Sequence, residues 1–268
     1  MKLLLSLVLP VFNGAPYIAA NVRETCQALE GLGAPFEVIV VCDGSTDGTA
    51  PAARKVDDAR VLVVDYPVNQ GKGHAILHGF SCSSGRLVGF LDADLDLAPR
   101  AILDAVDQFE LHPVDAVIGS KRHPQSDVSY PAIRRVYSWW FQRLVRLLFR
   151  VNARDTQVGA KVFRREMLQT VAPLLLVKRW AFDLELLAVG AEFGFDRVAE
   201  VPVELQYRFT GSSIDWRAVR AMLQDTLAIA YRIHVRHYYV RRFASVERAR
   251  TDAHAIEVQP PAMHESVG

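Results

Sequence analysis

The sequence predicts an α/β fold in which a mostly parallel sheet is flanked by helices. Three observations carry that expectation. Short apolar segments alternate with segments of helical period through the first 120 residues. Polar and glycine-rich clusters follow directly on the apolar segments, where open parallel sheets bind ligands. The chain has 268 residues, half of them apolar, which suits one large domain better than two.

The elements follow in order. Residues 3–11 form a continuous apolar strand, the pattern of a strand buried on both faces, and 16–32 have helical period. Residues 36–41 are a strand that ends at the turn-rich run Asp43-Gly44-Ser45-Thr46-Asp47-Gly48. A helix at 49–56, a strand at 60–65 and a helix at 71–81 come next. The strand 86–91 stops at Asp92, a helix covers 99–110, and 116–120 is again a strand. From residue 129 the pattern changes. The helix 133–150 places Ile133, Val136, Tyr137, Trp140, Leu144, Leu147 and Leu148 at helical spacing, with Arg135, Trp139, Arg143, Arg146 and Arg150 on another side. A strand near 158–163, a helix at 181–191, a strand near 197–205 and a long helix at 215–242 complete the series. The expected organisation is a single domain over 1–243, with a first half at 1–121 and a second at 122–243 that bears peripheral amphipathic helices. Residues 244–268 read as a polar, disordered tail.

A net charge of +1 excludes the strong basic excess of a general nucleic-acid binder. Cys26, Cys42 and Cys82 lie scattered, without the paired spacing of a zinc site or a disulfide framework, which points to a reducing compartment. The apolar start Leu3-Leu4-Leu5 runs straight into Pro10-Val11-Phe12-Asn13 without a cleavage pattern, so it reads as a strand rather than a signal peptide. No uninterrupted apolar run reaches the ~18 residues a membrane span needs. No Gly-x-Gly-x-x-Gly opens a helix after the first strand, which argues against a dinucleotide dehydrogenase.

The chemistry-bearing candidate is Asp92-Ala93-Asp94-Leu95-Asp96, directly after a strand. If that segment stays extended, residues two apart point the same way and the carboxylates of Asp92, Asp94 and Asp96 converge on a hard divalent cation. Alone, such a run is as readily a solvated acidic loop. Its context adds weight. Pro10-Val11-Phe12-Asn13-Gly14, Cys42-Asp43-Gly44-Ser45-Thr46-Asp47 and Asn69-Gln70-Gly71-Lys72-Gly73 precede it in order, each after an expected strand.

These four ordered motifs resemble those of the inverting family 2 glycosyltransferases, which have the GT-A fold. The runs Asp155-Thr156-Gln157-Val158-Gly159-Ala160-Lys161 and Arg179-Trp180-Ala181-Phe182-Asp183-Leu184-Glu185 are similar to those of the dolichyl-phosphate sugar synthases, closest to the dolichyl-phosphate glucosyltransferase branch. The resemblance implies a nucleotide-sugar donor, UDP-glucose first, bound with Mg²⁺ or Mn²⁺ at Asp92, Asp94 and Asp96. Pro10, Phe12, Asn13, Asp43, Gly71, Lys72 and Ala93 would contact the nucleotide, with Asp43 accepting the imide N–H of a uracil-type base. Gln157, Lys161 and Asp183 would line the sugar pocket. For Asp47 a turn or helix-cap role stays open, and for Asp183 and Glu185 an ordinary acidic helix start.

The implied acceptor is a polyprenyl or dolichyl phosphate. A phosphate monoester is mostly dianionic at neutral pH, with a second pKa of about 6, and attacks without a general base. It must instead be bound and aimed. Lys121, Arg122, Arg134 and Ser138 match the acceptor-phosphate positions, and Asp94, Asp183, Arg122 and Arg134 are the implied catalytic set. Helices with Trp139, Trp140, Tyr238 and Tyr239 beside arginines fit a membrane surface, giving a peripheral protein on the cytoplasmic face. Four positions depart from the family pattern: Gly14 stands in place of Glu, Cys42 in place of Asp, Lys121 in place of Arg, and Gly211-Ser212-Ser213 lacks a following Lys. Two other functions remain open, a transferase acting on a saccharide with Asp183 as base, and a non-catalytic membrane-associated protein that binds nucleotide sugars.

Overall fold

The computed structural model describes residues 3–126, 132–206 and 216–257. Seven strands form one sheet: β1 (Leu5–Val11), β2 (Phe36–Asp43), β3 (Val61–Tyr66), β4 (Leu87–Leu91), β5 (Ala116–Ser120), β6 (Ala160–Arg164) and β7 (Val198–Pro202). Their order is β3-β2-β1-β4-β6-β5-β7. All neighbours pair in parallel except β6, which runs antiparallel to both β4 and β5. The sequence pattern finds β6 within two residues, but not its direction or its place between β4 and β5.

β1 shows why the strands read as unbroken apolar runs. Leu5, Leu7, Leu9 and Val11 enter the core on one face of the sheet, and Val8 the core on the other. Each such side chain contributes about 1.5–3 kcal/mol on burial. Ser6 is the exception, fully buried, and it is satisfied: its Oγ donates to Glu37 Oε1 at 2.6 Å and accepts the Gly85 N–H at 2.7 Å.

The helices α1 (Ile18–Leu29), α2 (Thr49–Ala53), α3 (Lys72–Ser81) and α4 (Arg100–Leu111) connect the first five strands. α1 buries Ile18, Val22, Cys26 and Leu29, a period-3.6 stripe, and its Asn21 Nδ2 donates to the Ala93 carbonyl at 2.8 Å. α5 (Ala132–Leu148) follows β5, and α6 (Arg165–Val171), which the sequence reading missed, follows β6. The inward face of α5 differs from the expected one. Val145, and Phe149 just beyond the helix, are buried, whereas Trp140 and Leu147 stand exposed. Where apolar residues occupy most of a helix, spacing alone does not say which stripe packs.

α7 (Phe182–Glu192) is buried on nearly all sides. The expected single helix over 215–242 is two helices, α8 (Trp216–His234) and α9 (Tyr238–Glu257), and Asp215 lies outside the described residues. The break needs no glycine or proline: His237 takes a left-handed φ of 45° and lets Tyr239 turn inward. α9 also crosses residue 244, so the expected disordered tail begins as helix, and its remainder, 258–268, lies outside the described residues. No helix among the described residues is long and apolar enough to cross a membrane.

Candidate functional site

A cleft of about 620 Å³ opens at the carboxyl ends of β1, β2 and β4. Its walls include Pro10, Phe12, Asp43, Gly71, Lys72, Asp92, Gln157 and Asp183, eight residues singled out from the sequence. Such a place follows from the parallel topology, because each loop leaves the sheet at the same edge.

The loops are sewn together before any ligand enters. The two oxygens of Asp43 accept the N–H groups of Gln70 (2.7 Å) and Gly71 (2.9 Å), which fixes the turn that starts α3. Asp43 therefore shapes the cleft as well as facing it. Gly71 adopts φ 100°, and a Cβ there would stand 2.5 Å from the Lys178 carbonyl, so only glycine fits. Asn13 does not line the cleft. Its Oδ1 accepts the Thr46 N–H at 3.0 Å, and the neighbouring Ala15 N–H reaches Asp47 Oδ2 at 3.0 Å. Asp47 also accepts the Thr49 hydroxyl and the Thr49 N–H (3.0 Å), and the hydroxyl first, with the backbone bonds after it, holds its carboxyl below the usual range. Its place is a turn, one of the two roles the sequence left open.

Two of the four departures from the family pattern have local causes. A Cβ at Gly14 would come within 2.6 Å of Val11 Cγ2 and 2.8 Å of the Tyr17 ring, so this packing admits no side chain there. Cys42 points away from the cleft into the core, where burial pushes its thiol up to about 11.

The acidic loop differs from expectation. It is a turn rather than an extended segment: the Leu95 N–H reaches the Asp92 carbonyl at 3.1 Å, and Leu95 has a φ of 53°. Residues two apart consequently do not share a direction. Asp92 meets Lys72 Nζ at 2.5 Å and fills the space a Cβ on Gly159 would need. Asp94 Oδ1 accepts the Asp96 N–H at 3.1 Å. Among the described residues no three Asp, Glu, His or Cys side chains are arranged to hold a metal ion, so the set of Asp92, Asp94 and Asp96 does not converge. Burial first, and then the charge of Asp92, raise the Asp94 pKa, and Asp94 is not part of the cleft wall as Asp92 is. A hard cation that takes one or two carboxylates and completes its shell with phosphate oxygens needs no third carboxylate from this loop. Ala93 is buried, and its carbonyl is taken by Asn21.

Lys161 is also displaced from its expected role. It has no exposed surface and lies beneath the cleft, its Nζ donating to Asp183 Oδ1 at 2.6 Å and to the Val158 carbonyl. Burial lowers its pKa, and the Asp183 charge opposes that shift. For Lys72 the balance is reversed. Burial works against its charge, but Asp92 and Asp183 outweigh it and raise the pKa. Gln157 reaches the cleft with a buried Nε2 that has no partner among the described residues.

On the acceptor side, the Lys121 N–H donates to Asp155 Oδ2 at 3.3 Å, which ties the residues after β5 to the loop that carries Gln157. Lys121 and Arg122 are half-buried and are not part of the cleft wall. The side chains of Arg134 and Ser138, and the whole run Gly211-Ser212-Ser213, lie outside the described residues. Sequence reasoning assigned no role to Arg179, Trp180 or Met222, all of which line the cleft. Arg179 and Trp180 stood inside a recognised motif; Met222, on α8, carried no signal.

Comparison with known proteins agrees with this geometry. The model of the family described as glycosyl transferase family 2 matches residues 6–172. The chain is 31% identical over 245 residues to Glycosyltransferase AglD of Haloferax volcanii, covering 90% of this chain and 39% of that protein's length. It is 28% identical over 244 residues to a dolichyl-phosphate beta-glucosyltransferase of Dictyostelium discoideum, covering 85% of this chain and 74% of the relative. Among solved structures, glucosyl-3-phosphoglycerate synthase from Mycobacterium tuberculosis, in complex with Mn²⁺, UDP and glucosyl-3-phosphoglycerate, superposes with a TM-score of 0.63 at 21% identity, covering 85% of this chain and 78% of that one. Mannosyl-3-phosphoglycerate synthase from Rubrobacter xylanophilus gives 0.64 at 22% identity, covering 88% and 75%. These two structures support the GT-A fold.

Proposed function

The chain belongs to glycosyl transferase family 2, and on that premise we propose that it transfers a hexose, with UDP-glucose as donor, to a polyprenyl phosphate. The observation that carries this reading is the cleft, where Pro10, Phe12, Asp43, Gly71, Lys72 and Asp92, from the ends of and loops after the first four strands, meet Gln157 and Asp183 from the second half. The names of the relatives support the acceptor class, since several are dolichyl-phosphate beta-glucosyltransferases.

In this reading Pro10, Phe12 and Asp43 hold the base and ribose, while Gly71 lets the Lys178–Arg179 backbone close over the turn beside the diphosphate. Asp92 and Asp94 would hold Mg²⁺ or Mn²⁺, which supplies neutralisation of the charge on the departing diphosphate. Gln157 Nε2, left without a partner in the wall, donates to an oxygen of the ligand. Asp183 has Oδ1 committed to Lys161 and presents Oδ2 to the sugar hydroxyls. Its pairing favours an orienting role over that of a base, which suits a phosphate dianion that needs none. Attack opposite the leaving group inverts an α-linked donor and gives a β-linked lipid-phosphate sugar. Lys121, Arg122, Arg134 and Ser138 are the proposed grip on the acceptor phosphate.

An apolar acceptor chain calls for a membrane surface. α8 exposes Val219, Leu223, Leu227 and Tyr231 in an i, i+4 row, and α5 exposes Trp140 and Leu147 near Arg143 and Arg146. This is the surface proposed to lie on the cytoplasmic leaflet.

Purified protein given Mn²⁺, a short polyprenyl phosphate and labelled UDP-glucose or GDP-mannose tests the proposal. Label entering the organic phase from UDP-glucose, with a β linkage by NMR, is the expected result. Label that appears only on added saccharides would replace the acceptor. An Asp94→Ala variant that matched the wild type would remove the metal-assisted mechanism.

A further inference from the structure

Among the described residues three cations stand at the cleft or beneath it, and two are committed. Lys72 holds Asp92 at 2.5 Å, and Lys161 holds Asp183 at 2.6 Å. The third is Arg179, which is exposed on the cleft wall and makes no ion pair among the described residues. The acids of the wall have partners elsewhere. Asp43 accepts two backbone N–H groups, and Asp92 and Asp183 each meet a lysine, with lone pairs left over on all three. A guanidinium on the cleft wall that makes no ion pair among the described residues leaves a positive charge available to a ligand.

The backbone beneath this side chain is unusually well held. The Leu176 and Val177 N–H groups donate to buried Glu185 Oε2 at 2.9 and 2.8 Å. The Lys178 carbonyl accepts the Gly73 N–H at 2.9 Å, and the Arg179 carbonyl accepts the Phe182 N–H at 3.2 Å. The Arg179 stem passes over Gly71, where a Cβ would stand 2.9 Å from its Cγ. The segment is therefore docked on the turn that begins α3, beside Lys72.

We infer that Arg179 is a phosphate-binding residue of this cleft, resting on the transferase reading above. A guanidinium presents paired N–H donors to two phosphate oxygens and keeps its charge at any working pH. The phosphate belongs either to the donor diphosphate or to the acceptor monoester.

Calorimetric titration of wild type, Arg179→Gln and Arg179→Lys with UDP, uridine and a short polyprenyl phosphate tests this. The exposed side chain carries no fold, so both variants keep the wild-type unfolding temperature. A charge-assisted pair removed by Arg179→Gln weakens phosphate binding about 10- to 100-fold and leaves uridine unchanged. Arg179→Lys keeps the charge and recovers part of the loss. Weakening confined to UDP assigns the donor diphosphate; weakening confined to polyprenyl phosphate assigns the acceptor. Equal affinities for both phosphates in Arg179→Gln and wild type overturn the inference and leave the transferase reading standing. A wild-type protein that binds neither phosphate overturns both.

Discussion

Asp183 and Glu185 stand two residues apart at the start of α7 and serve opposite sides of it. Two residues turn a helix by about 200°, so one carboxylate faces the cleft and the other the interior. Asp183 lines the cleft and meets Lys161. Glu185 has no exposed surface. Its Oε2 accepts two backbone N–H groups, its Oε1 accepts the Tyr239 hydroxyl at 2.5 Å, and Arg232 Nη1 stands 3.7 Å away. The same residue class, in one short motif, supplies a ligand-facing group and an internal latch that fastens α8 and α9 to the body. The sequence reading places Asp183 at the sugar pocket and leaves an acidic helix start open for both residues, with no separate role for Glu185. What separates them is the set of groups each meets.

The largest effect expected from breaking this contrast is on the latch. Glu185→Ala orphans the buried Val177 N–H, the Leu176 N–H and a buried hydroxyl, and costs about 3–5 kcal/mol. Thermal unfolding followed by circular dichroism should show a midpoint lowered by roughly 10 °C. An unchanged midpoint would mean that Glu185 fastens nothing.

Tyr239→Phe is milder. It removes one hydrogen bond to a charged group and leaves the ring packed, a loss of about 1.5–3 kcal/mol in denaturant titration. If Tyr239→Phe and Glu185→Gln show no coupling in a double-mutant cycle, the two side chains do not act as one unit.

The smallest effect is in pH dependence. Burial, opposed by the hydrogen bonds from Tyr239 and the backbone, raises the Glu185 pKa above its ordinary 4.5. The folded state therefore binds this proton more tightly than the unfolded state. Its contribution to stability is full below about 4.5 and is lost as pH rises through the folded value. Unfolding midpoints of wild type relative to Glu185→Gln should thus improve as pH falls towards that value, and a flat difference would remove the buried-charge account.

The parts of the site legible in the sequence are those whose place depends only on following a strand. Pro10, Asp43, Gly71 and Asp92 needed no tertiary information beyond a parallel sheet, and all line the cleft. The convergence of Asp92, Asp94 and Asp96 needed an extended backbone, and the left-handed Leu95 withdraws that condition. Lys161 was misplaced because β6 runs antiparallel between β4 and β5, which sets its side chain beneath the cleft. The break before α9 had no glycine or proline to announce it; its reward is the buried contact of Tyr239 with Glu185. Direction, burial and long-range pairing are tertiary outcomes, and local period does not encode them.

Sugar transfer by Asp183→Asn, measured per folded molecule, tests most directly the claim that α7 divides chemistry from support. Asparagine keeps an acceptor for Lys161 but removes the charge that offsets the buried ammonium, so the unfolding midpoint should fall by several degrees, which is why transfer is counted per folded molecule. Transfer should fall by about 10²-fold or more, because the donor sugar loses the group that orients it. A variant that transfers sugar at the wild-type rate would contradict the account and return Asp183 to the same supporting role as Glu185.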